Sequence, residues 1–512
     1  MRTFRSISRN RWKDWRFFIG RDPRSLPPRS VILLPHQPDT LFCGLAGILA
    51  VKCAPRRTDD PVERIIALAR ALNRMGLEHG APEAFLGDQT LADMETALYD
   101  LKQDIDRQFR LHSNGEMMRL HAVADELADL IKKQEAILEK RAGEFPISAL
   151  EIISRRLITL KDIQWGLKQD LLKNQEKILS LSGGEAATAA CIFRKYQRLN
   201  FLLNALDRLE VRGRDSTGIQ IALAVPEKAM QEILKTLADQ GLSEGFDLRS
   251  RGTDLMHGSI SRFSGGMAFT YKTASITGEL GKNCRELRRA IQEDTIFKAV
   301  VRHEDTGDMY LAHTRWASVG AINIPNCHPV NNCTLAVSTH IPVDVKEYPA
   351  YGKGQWFINV VLNGDIDNYL DIKARIESQG RLVDQRVTTD TKVIPLAIEH
   401  HLLKGHTLKE AFRLAVNDFE GSHAIAMESN LEPGKVFLAL HGSGQSLFVG
   451  LAKAQYLFAS EVYGLVEETP YFIKMDGETR RVADDPGSMG QVFILNNDKG
   501  PGLAGIEAFS YD

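Results

Sequence analysis

Residues 43–50 read CGLAGILA, a short apolar stretch interrupted by two glycines. That pattern is typical of a buried β-strand. Directly after it the composition changes: from about residue 59 to residue 204, Leu, Ala, Glu, Lys and Arg dominate, and apolar residues recur every three or four positions. This spacing predicts long amphipathic helices. A single strand is therefore followed by a helical region, and the fold depends on what that strand pairs with further along the chain.

The helical region has an internal break. The helical spacing is clearest at four positions, which are Leu120, Ala124, Leu127 and Ile131. The Phe145-Pro146 pair interrupts the pattern, a second periodic run covers residues 150–181, and Ser182-Gly183-Gly184 ends it. Proline stops a helix because it lacks a backbone N–H, and glycine commonly follows the last helical turn. The simplest arrangement is a long α-helical hairpin.

After about residue 209 the pattern changes to short β-type segments. We predict strands at 218–225, 267–271, 309–314, 357–362, 423–427, 436–440 and 447–451. Helices are expected near 284–293 and 392–403, between these strands. Many short strands alternating with helices indicate an α+β domain built in layers. The helical region then separates the first strand of this domain from the others.

The overall composition is that of a globular protein without a strong charge bias. Of 512 residues, 43% are hydrophobic and 25% are charged, and the formal net charge is −2. This balance gives no general attraction to nucleic acid. No run approaches the roughly 18 consecutive apolar residues of a membrane-spanning helix. We therefore expect neither a nucleic acid nor a membrane as a partner.

The cysteines indicate a functional thiol more than a structural framework. Six cysteines in a chain of this length are too few for a disulfide scaffold, which favours a reducing compartment, and we expect a cytoplasmic protein. Cys327 and Cys333 flank His328, but no second pair of ligands at a suitable spacing occurs elsewhere in the sequence. We expect no metal and no other cofactor.

Residues 1–42 differ from the rest of the chain. They contain nine Arg or Lys against three Asp, and a proline-rich stretch runs from Pro23 to Pro38. The long apolar segment of a secretory signal is lacking, whereas an Arg-rich, acid-poor start suits a transit peptide or a short pro-region. We interpret residues 1–42 as a basic leader or pro-region. A surface arm, or a start codon assigned too far upstream, remains the alternative.

Three segments contain side chains suited to recognition or catalysis, each with a structural alternative. Arg315 ends a predicted strand, and its planar guanidinium suits a carboxylate, although a solvated or structural Arg is the more common case. Asn363-Gly364 could supply a side-chain amide and a backbone N–H to an oxyanion, but the same pair is the commonest hairpin turn. Asp390 precedes an apolar helical run and could simply be its N-cap.

Taken in order, seven motifs resemble those of the class-II glutamine amidotransferases, in particular the glutaminase domain of the glucosamine-6-phosphate synthase family, within the N-terminal nucleophile hydrolase superfamily. The motifs are CGLAGI at 43–48, LEVRGRDSTG at 209–218, HTRWA at 313–317, NCHP at 326–329, Asn363-Gly364, TDT at 389–391 and EGS at 420–422. The resemblance covers about 270 residues once the helical region is removed. It implies a four-layer αββα sandwich, here with the helical hairpin inserted after the first strand.

The resemblance also implies a role for each site residue. Cys43 is the nucleophile that attacks the glutamine carboxamide, and its own α-amino group acts as the general base. Asn363 and Gly364 form the oxyanion hole. The substrate α-carboxylate pairs with Arg315, and its α-ammonium with Asp390. Where the family commonly continues HTRWA with Thr-His-Gly, this chain has Ser318-Val319-Gly320, so a hydroxyl in the glutamine pocket survives at Ser318 and an imidazole does not.

These expectations define four segments. Residues 1–42 form the leader, 43–54 and 205–470 the discontinuous glutaminase domain, 55–204 the helical insertion, and 471–512 a C-terminal extension or a linker to a missing acceptor domain. Since Cys43 follows Phe42, a free amine on Cys43 requires cleavage of the Phe42–Cys43 bond. The expected partners are L-glutamine, an acceptor domain or subunit of the sugar-phosphate isomerase type, and further copies of the chain in a homo-oligomer.

Two other functions stay open at this stage. The first keeps the fold but gives the protein a different ammonia acceptor, or makes it another N-terminal nucleophile amidohydrolase. The second is a non-catalytic scaffold that presents the helical insertion. Retention of Cys43, Arg315, Asn363, Gly364 and Asp390 together favours a working site, because a decayed site has no physical need for all five.

Overall fold

The computed structural model of this chain describes residues 43–51, 60–78, 84–112, 115–251, 255–275, 279–304, 306–333, 356–478 and 489–511. The predicted leader, residues 1–42, lies outside the described residues, and so does Cys53.

Two antiparallel sheets form the centre of the molecule. Their strands are β1 Gly44–Ala50, β2 Ser216–Ala224, β3 Ser259–Phe263, β4 Gly266–Ala274, β5 Gly307–Arg315, β6 Val330–Asn331, β7 Ile358–Gly364, β8 His423–Ser429, β9 Lys435–His441, β10 Phe448–Leu451, β11 Gln455–Ala459, β12 Phe472–Lys474, β13 Gln491–Asn496 and β14 Ile506–Ser510. The larger sheet has the order β12-β10-β11-β1-β5-β2-β4-β3, and the smaller one β14-β13-β9-β8-β7-β6.

Strand β1 lies in the middle of the larger sheet. It pairs with β11 on one side and with β5 on the other, where Gly44 stands opposite Thr314. A side chain at Gly47 would not fit, because a Cβ there would come within 2.1 Å of the Phe458 ring and 2.6 Å of the Tyr310 carbonyl oxygen. The glycine that punctuates this strand is therefore required by close packing against β11 and β5.

The helices are α1 Pro61–Leu72, α2 Asp88–Gln103, α3 Ile105–Arg110, α4 Glu116–Arg141, α5 Ile147–Trp165, α6 Lys173–Ser182, α7 Ala190–Leu209, α8 Glu227–Asp239, α9 Ser243–Ser250, α10 Lys282–Glu293, α11 Thr295–Val301, α12 Tyr369–Ser378, α13 Val393–Leu403 and α14 Leu408–Asn417. A π-helical turn, Gly166–Leu172, joins α5 to α6 without a break.

Apolar side chains fill three zones around the two sheets. Between the sheets, Leu45, Leu49 and Leu311 of the larger sheet pack in one cluster with Val361 and Leu438 of the smaller sheet. The other face of the larger sheet packs against α7, α8, α10 and α11. The other face of the smaller sheet packs against α12, α13 and α14. The described chain is thus an α+β fold of antiparallel sheets and helices, as the sequence predicted.

Residues 60–182, here called the helical segment, have an apolar core of their own. Side chains from α1, α2, α4, α5 and the π-helical turn form one cluster that contains no residue of either sheet. Ile105 of α3, and Ile178 and Leu181 of α6, join the core on the larger sheet instead. The segment is larger than the hairpin we expected: α4 and α5 are the two arms on either side of Pro146, but four further helices accompany them.

Two other segments differ from the expected boundaries. Helix α7, most of which we had placed in the insertion, packs through Leu202 and Leu206 in the cluster that contains Ile48 of β1. Its apolar face therefore covers the central strand. Residues 471–512 are not an extension or linker in the part described: β12 pairs with β10, and β13 and β14 continue the smaller sheet from β9. Apolar side chains such as Phe493 tie this region into the core between the sheets.

Within the described ranges, no helix is both long and apolar enough to cross a membrane. The same residues contain no group of three or more His, Cys, Asp or Glu side chains arranged to hold a metal ion.

Replacement of Gly47 by alanine should destabilise the protein. The added methyl group meets the Phe458 ring and a backbone carbonyl, and overpacking of this kind costs about 1–3 kcal/mol. Urea denaturation measures the change. Gly143→Ala is the matched control, since a Cβ there meets nothing within 4 Å. Equal stability of Gly47→Ala and the wild type would contradict the tight packing of β1.

Candidate functional site

The site is built around the start of β1. Cys43 immediately precedes this strand, and its sulfur lies 3.3 Å from the backbone nitrogen of Trp316 and 3.4 Å from the Trp316 carbonyl oxygen. The next residue must be small: a Cβ on Gly44 would lie 2.5 Å from the Thr314 hydroxyl and 2.8 Å from Leu209. Pairing of β1 with β5 therefore places the sulfur against the chain that leaves β5.

The Cys43 thiol is held in its protonated form. As a residue Cys43 is half-buried, but its sulfur is packed among neighbouring atoms, and this burial raises the pKa of the thiol to about 12. The Trp316 N–H and the nearby Arg315 cation act in the opposite direction without overcoming it. A thiolate is the reactive form, so the thiol needs a base at the moment it reacts.

Asn363 and Gly364 come from the other sheet and meet Cys43. The Asn363 side-chain amide donates a hydrogen bond of 2.8 Å to the Cys43 carbonyl oxygen. Gly364 has a φ of +93°, and a Cβ there would lie 2.1 Å from the Ser422 carbonyl oxygen. The pair is the end of β7, opposite His423 of β8, and it is not the two-residue hairpin turn that we had considered as the alternative.

Arg315 ends β5 and turns inward. It is 3% exposed, and its guanidinium donates to the Val319 carbonyl and, over 3.2 Å, to the Ala321 carbonyl. These bonds close the loop that follows Trp316. The hydrogen bonds of Arg315 thus organise the loop beside Cys43. The charge of its buried guanidinium also acts to lower the pKa of the Cys43 thiol.

Ser318 lies in that same loop and points at the chain after β7. Its hydroxyl donates a 2.6 Å hydrogen bond to the Asp365 carboxylate. The loop is also held from β2, because the Ala317 N–H donates to the Asp215 carboxylate over 3.0 Å. Both carboxylates were missing from our predicted site. Asp365 directly follows Asn363-Gly364 and Asp215 lies in the 209–218 motif, so the motifs contained the signal, but neither had a role assigned.

Asp390 joins the site from the smaller-sheet side. It begins the 3₁₀ turn Asp390–Lys392 in front of α13, and it is 4% exposed. Its carboxylate accepts hydrogen bonds from the backbone N–H groups of Ile366, at 2.9 Å, and Thr391, at 2.8 Å. Burial raises the pKa of Asp390. Asp390 is not the N-cap of α13, which is Lys392; its carboxylate instead fixes the chain that leaves Gly364.

A buried pair of histidines lies beneath these residues. The rings of His313 and His328 are 4.3 Å apart, and the His328 Nε2 is 2.7 Å from the Thr391 hydroxyl. Burial lowers the pKa of His313 to about 3 and that of His328 well below its ordinary value. Both rings are neutral at physiological pH, so they support the site without adding charge. Both come from motifs quoted above, HTRWA and NCHP.

All six predicted site residues are thus brought to one region. The pKa of the Cys43 thiol is affected by the charges of Arg315, Asp365 and Asp390. Asn363, which Gly364 follows, donates to the Cys43 carbonyl, and Ser318 donates to Asp365.

Comparison with protein families matches residues 344–467 to a glutamine amidotransferase domain. This part of the chain is similar to a glutamine amidotransferase domain. The match runs from before β7 to the loop after β11, and so includes Asn363, Gly364 and Asp390. It confirms the resemblance inferred from the motifs.

Curated relatives extend the comparison. The chain is 34% identical over 170 residues to a glutamine–fructose-6-phosphate aminotransferase (isomerizing) of Methanothermobacter thermautotrophicus, covering 33% of this chain and 25% of the relative. Its identity to the Clostridium tetani enzyme of the same name is also 34%, over 164 residues, with 32% and 22% covered. The chain therefore spans about a quarter of the length of the curated relatives it matches.

Among solved structures, a glutamine phosphoribosylpyrophosphate amidotransferase from B. subtilis is similar at a TM-score of 0.33 and 16% identity, covering 58% of this chain and 49% of that one. A structure titled as the allosteric regulatory enzyme of purine biosynthesis gives the same TM-score at 17% identity, with the same coverage.

The uncut chain should show an unusually unreactive Cys43. With a pKa near 12, the thiolate fraction is very small at neutral pH, so the rate of alkylation by iodoacetamide should rise about tenfold per pH unit up to about pH 10. Mass spectrometry of the Cys43 peptide measures the rate, with half-buried Cys191 in the same sample as the comparison thiol. A plateau in the Cys43 rate below about pH 9 would contradict the burial argument.

Proposed function

We propose that this domain hydrolyses L-glutamine to glutamate and ammonia through a thioester on Cys43, and that Cys43 must first become the N-terminal residue. The observation that supports this most directly is the 2.8 Å hydrogen bond from the Asn363 amide to the Cys43 carbonyl. This bond holds the side chain that we assign as oxyanion donor next to the residue that we assign as nucleophile. The proposal includes the four-layer αββα arrangement and the interpretation of the helical segment as an insertion after β1.

Asn363 has a second N–H to offer. A carboxamide nitrogen has two donors, and one of them is used on the Cys43 carbonyl. We assign the other to the oxyanion that forms when sulfur attacks the substrate carboxamide. Gly364 supplies a backbone N–H beside it, in a conformation that a side chain would obstruct. Two donors aimed at the developing charge stabilise the tetrahedral intermediate more than the substrate.

The base in this scheme is the α-amino group of Cys43. Its ordinary pKa of about 7.7–8.0 suits proton transfer near neutral pH, and it lies within the same residue as the buried thiol. It takes the thiol proton as sulfur bonds to the carboxamide carbon, and it returns a proton to the departing nitrogen, which leaves as ammonia. Water then hydrolyses the thioester, releasing glutamate and the thiol.

Arg315 and Asp390 would select a free amino acid. We assign the substrate α-carboxylate to Arg315 and the α-ammonium to Asp390. The Thr391 N–H and the hydroxyls of Thr389 and Thr391 approach Asp390 Oδ1, whereas Oδ2 accepts from the Ile366 N–H. Each carboxylate oxygen can accept about two hydrogen bonds, so Oδ2 is the atom we assign to the α-ammonium. Ser318, fixed by Asp365, lies beside them. A glutamine within a protein lacks both free α-groups and would be rejected.

We further propose a sugar phosphate as the ammonia acceptor. The support is the name of the relatives, glutamine–fructose-6-phosphate aminotransferase. Amination would take place on an acceptor domain or subunit of the sugar-phosphate isomerase type. Glutamine hydrolysis is measured with and without fructose 6-phosphate in the presence of the acceptor domain or subunit. A faster rate with fructose 6-phosphate would support this acceptor, and an unchanged rate would favour another one. Homo-oligomer formation and a cytoplasmic location stay predictions from the sequence.

Removal of the Cys43 thiol should abolish glutamine hydrolysis. A chain that begins at Cys43, after removal of an initiator Met, is the reference, and its Cys43→Ala variant should release no glutamate above background while unfolding at the same temperature. Cys191→Ala controls for loss of a half-buried thiol elsewhere. The uncut 512-residue chain should also be inactive. Normal turnover by Cys43→Ala would exclude the thioester mechanism on Cys43 and leave another amidohydrolase mechanism, whereas a reference chain without activity would favour the non-catalytic scaffold.

Loss of the Asn363 amide should slow the chemical step. Removing one oxyanion donor typically lowers kcat on the order of a hundredfold or more, and we expect this for Asn363→Ala with a small change in KM. Steady-state kinetics of glutamate release measures both constants. Asn359→Ala is the matched control, because Asn359 is equally buried on the same strand. A similar loss of kcat in both variants would attribute the effect to β7 itself and not to the donor.

A further inference from the structure

Residues 460–469, which follow β11, are here called the bridging loop. The first residue of this loop contacts β1, the strand that follows Cys43. The Leu45 N–H donates to the Ser460 hydroxyl over 3.1 Å, and the Ser460 N–H donates to the Leu45 carbonyl over 2.9 Å. Leu45 is two residues from Cys43. Both of its main-chain hydrogen-bonding groups are therefore fixed by one residue of this loop.

The bridging loop also contacts the turn between α7 and β2. Glu461 forms an ion pair with Arg212, and Arg212 lies 3.4 Å from the Tyr463 hydroxyl. The neighbouring Gly213 is in tight contact with the main chain after Arg315, since a Cβ there would lie 2.6 Å from the Trp316 nitrogen. That nitrogen is the one in contact with the Cys43 sulfur.

The far end of the bridging loop is bound by the helical segment. Glu467 is 7% exposed, and its Oε1 accepts hydrogen bonds from Asn174 at 2.6 Å and Asn204 at 2.9 Å. Asn174 belongs to α6 of the helical segment, whereas Asn204 belongs to α7. A second bond comes from the end of α2, where Gln103 donates to the Glu468 carbonyl over 2.6 Å.

These contacts are buried and charged, which makes them sensitive to small changes. Burial acts to raise the pKa of Glu467, but Arg208 and Asn204 more than compensate and lower it. A cavity of about 20 Å³ lies between the loop, α6 and α7. A buried charge that loses a partner is strongly destabilised, so loss of one donor shifts the loop to find another.

We propose that the helical segment holds the nucleophile strand in register through the bridging loop, and that Glu467 is a positioning residue for the glutaminase reaction. The inference rests on the proposed function of Cys43. Its chemical basis is geometric: a nucleophile displaced by about 1 Å from its attack position can lose on the order of a hundredfold in rate. The loop connects a contact on α6 to the strand that sets this position.

The first test is Asn174→Ala in the chain that begins at Cys43. It removes the amide that joins α6 to Glu467, and we expect kcat for glutamine hydrolysis to fall about fivefold or more with KM within about twofold. Lys173→Ala is the matched control, because Lys173 is an exposed neighbour on α6 that pairs with Glu176. Assays run well below the unfolding temperatures of both variants. Wild-type kcat in Asn174→Ala would overturn the proposal.

The second test asks whether both ends of the loop act together. Ser460→Ala removes the acceptor of the Leu45 N–H at the near end. If Asn174 acts on Cys43 through this loop, the double variant should lose less in kcat than the product of the two single losses, because the second change disturbs a position already disturbed. Losses that multiply would show two independent effects and would overturn the proposed connection.

A readout without glutamine separates this inference from the function on which it rests. The rate of Cys43 alkylation by iodoacetamide at pH 9 should change at least about threefold in Asn174→Ala, while that of Cys333 stays constant. If the wild type hydrolyses no glutamine but the Cys43 rate responds, the glutaminase proposal is wrong and the positioning role stands. If the Cys43 rate does not respond, the positioning role is wrong whatever the enzyme hydrolyses.

Discussion

The hydrogen bond between Asn363 and Cys43 is the contact on which the site depends, because it joins the two sheets at the reactive residue. Asn363 belongs to the smaller sheet and Cys43 to the start of the larger one, and the bond between them is 2.8 Å long. Apolar side chains such as Leu45 and Val361 set the spacing of the sheets behind it. Every other component of the site, from Arg315 to Asp390, is positioned relative to one of these two strands.

Much of this arrangement could be predicted from the sequence, for reasons that differ from residue to residue. Short strands such as β2 and β8 are visible because their apolar residues and turn signals are local. Asn363-Gly364 was ambiguous: a strand end and a hairpin turn have the same local chemistry, and only pairing of β7 with the distant strand β8 resolves it. Asp390 was ambiguous for the same reason, since its bond to the Ile366 N–H is long-range.

What the sequence concealed is mostly contact between distant segments. The bonds from Ser318 to Asp365 and from Ala317 to Asp215 depend on where whole strands lie. The strands β13 and β14 were mistaken for a linker because no motif marks them, although QVFILN at 491–496 is apolar enough for a buried strand. The number of helices in the helical segment was also underestimated, since a continuous apolar period does not show where helices turn and pack on one another.

The stability of the helical segment and its orientation on the rest of the fold depend on different contacts. Its own apolar core would let most of it stay folded wherever it lay, so its orientation on the amidotransferase domain has to come from a different set of contacts. Some of those contacts are apolar, through Ile105, Ile178 and Leu181 in the core on the larger sheet. Others are polar and buried around Glu467. Polar contacts of this kind add little net stability, but they tolerate few alternative arrangements, because any misplacement leaves a charge unpaired. A buried hydrogen-bond network around a carboxylate therefore suits an interface that holds one orientation.

In the proposed mechanism, the raised pKa of the Cys43 thiol is the reason why a free α-amino group on the same residue is required. Burial raises the pKa of the Cys43 thiol to about 12, so very little of the reactive thiolate exists at neutral pH. Both ring nitrogens of His313 are buried, and its pKa near 3 makes that imidazole a poor base. An amine created on Cys43 itself meets the requirement without opening the packing around the sulfur. In the proposed mechanism, cleavage before Cys43 would supply the base, so the chain would begin to hydrolyse glutamine only after it is cut.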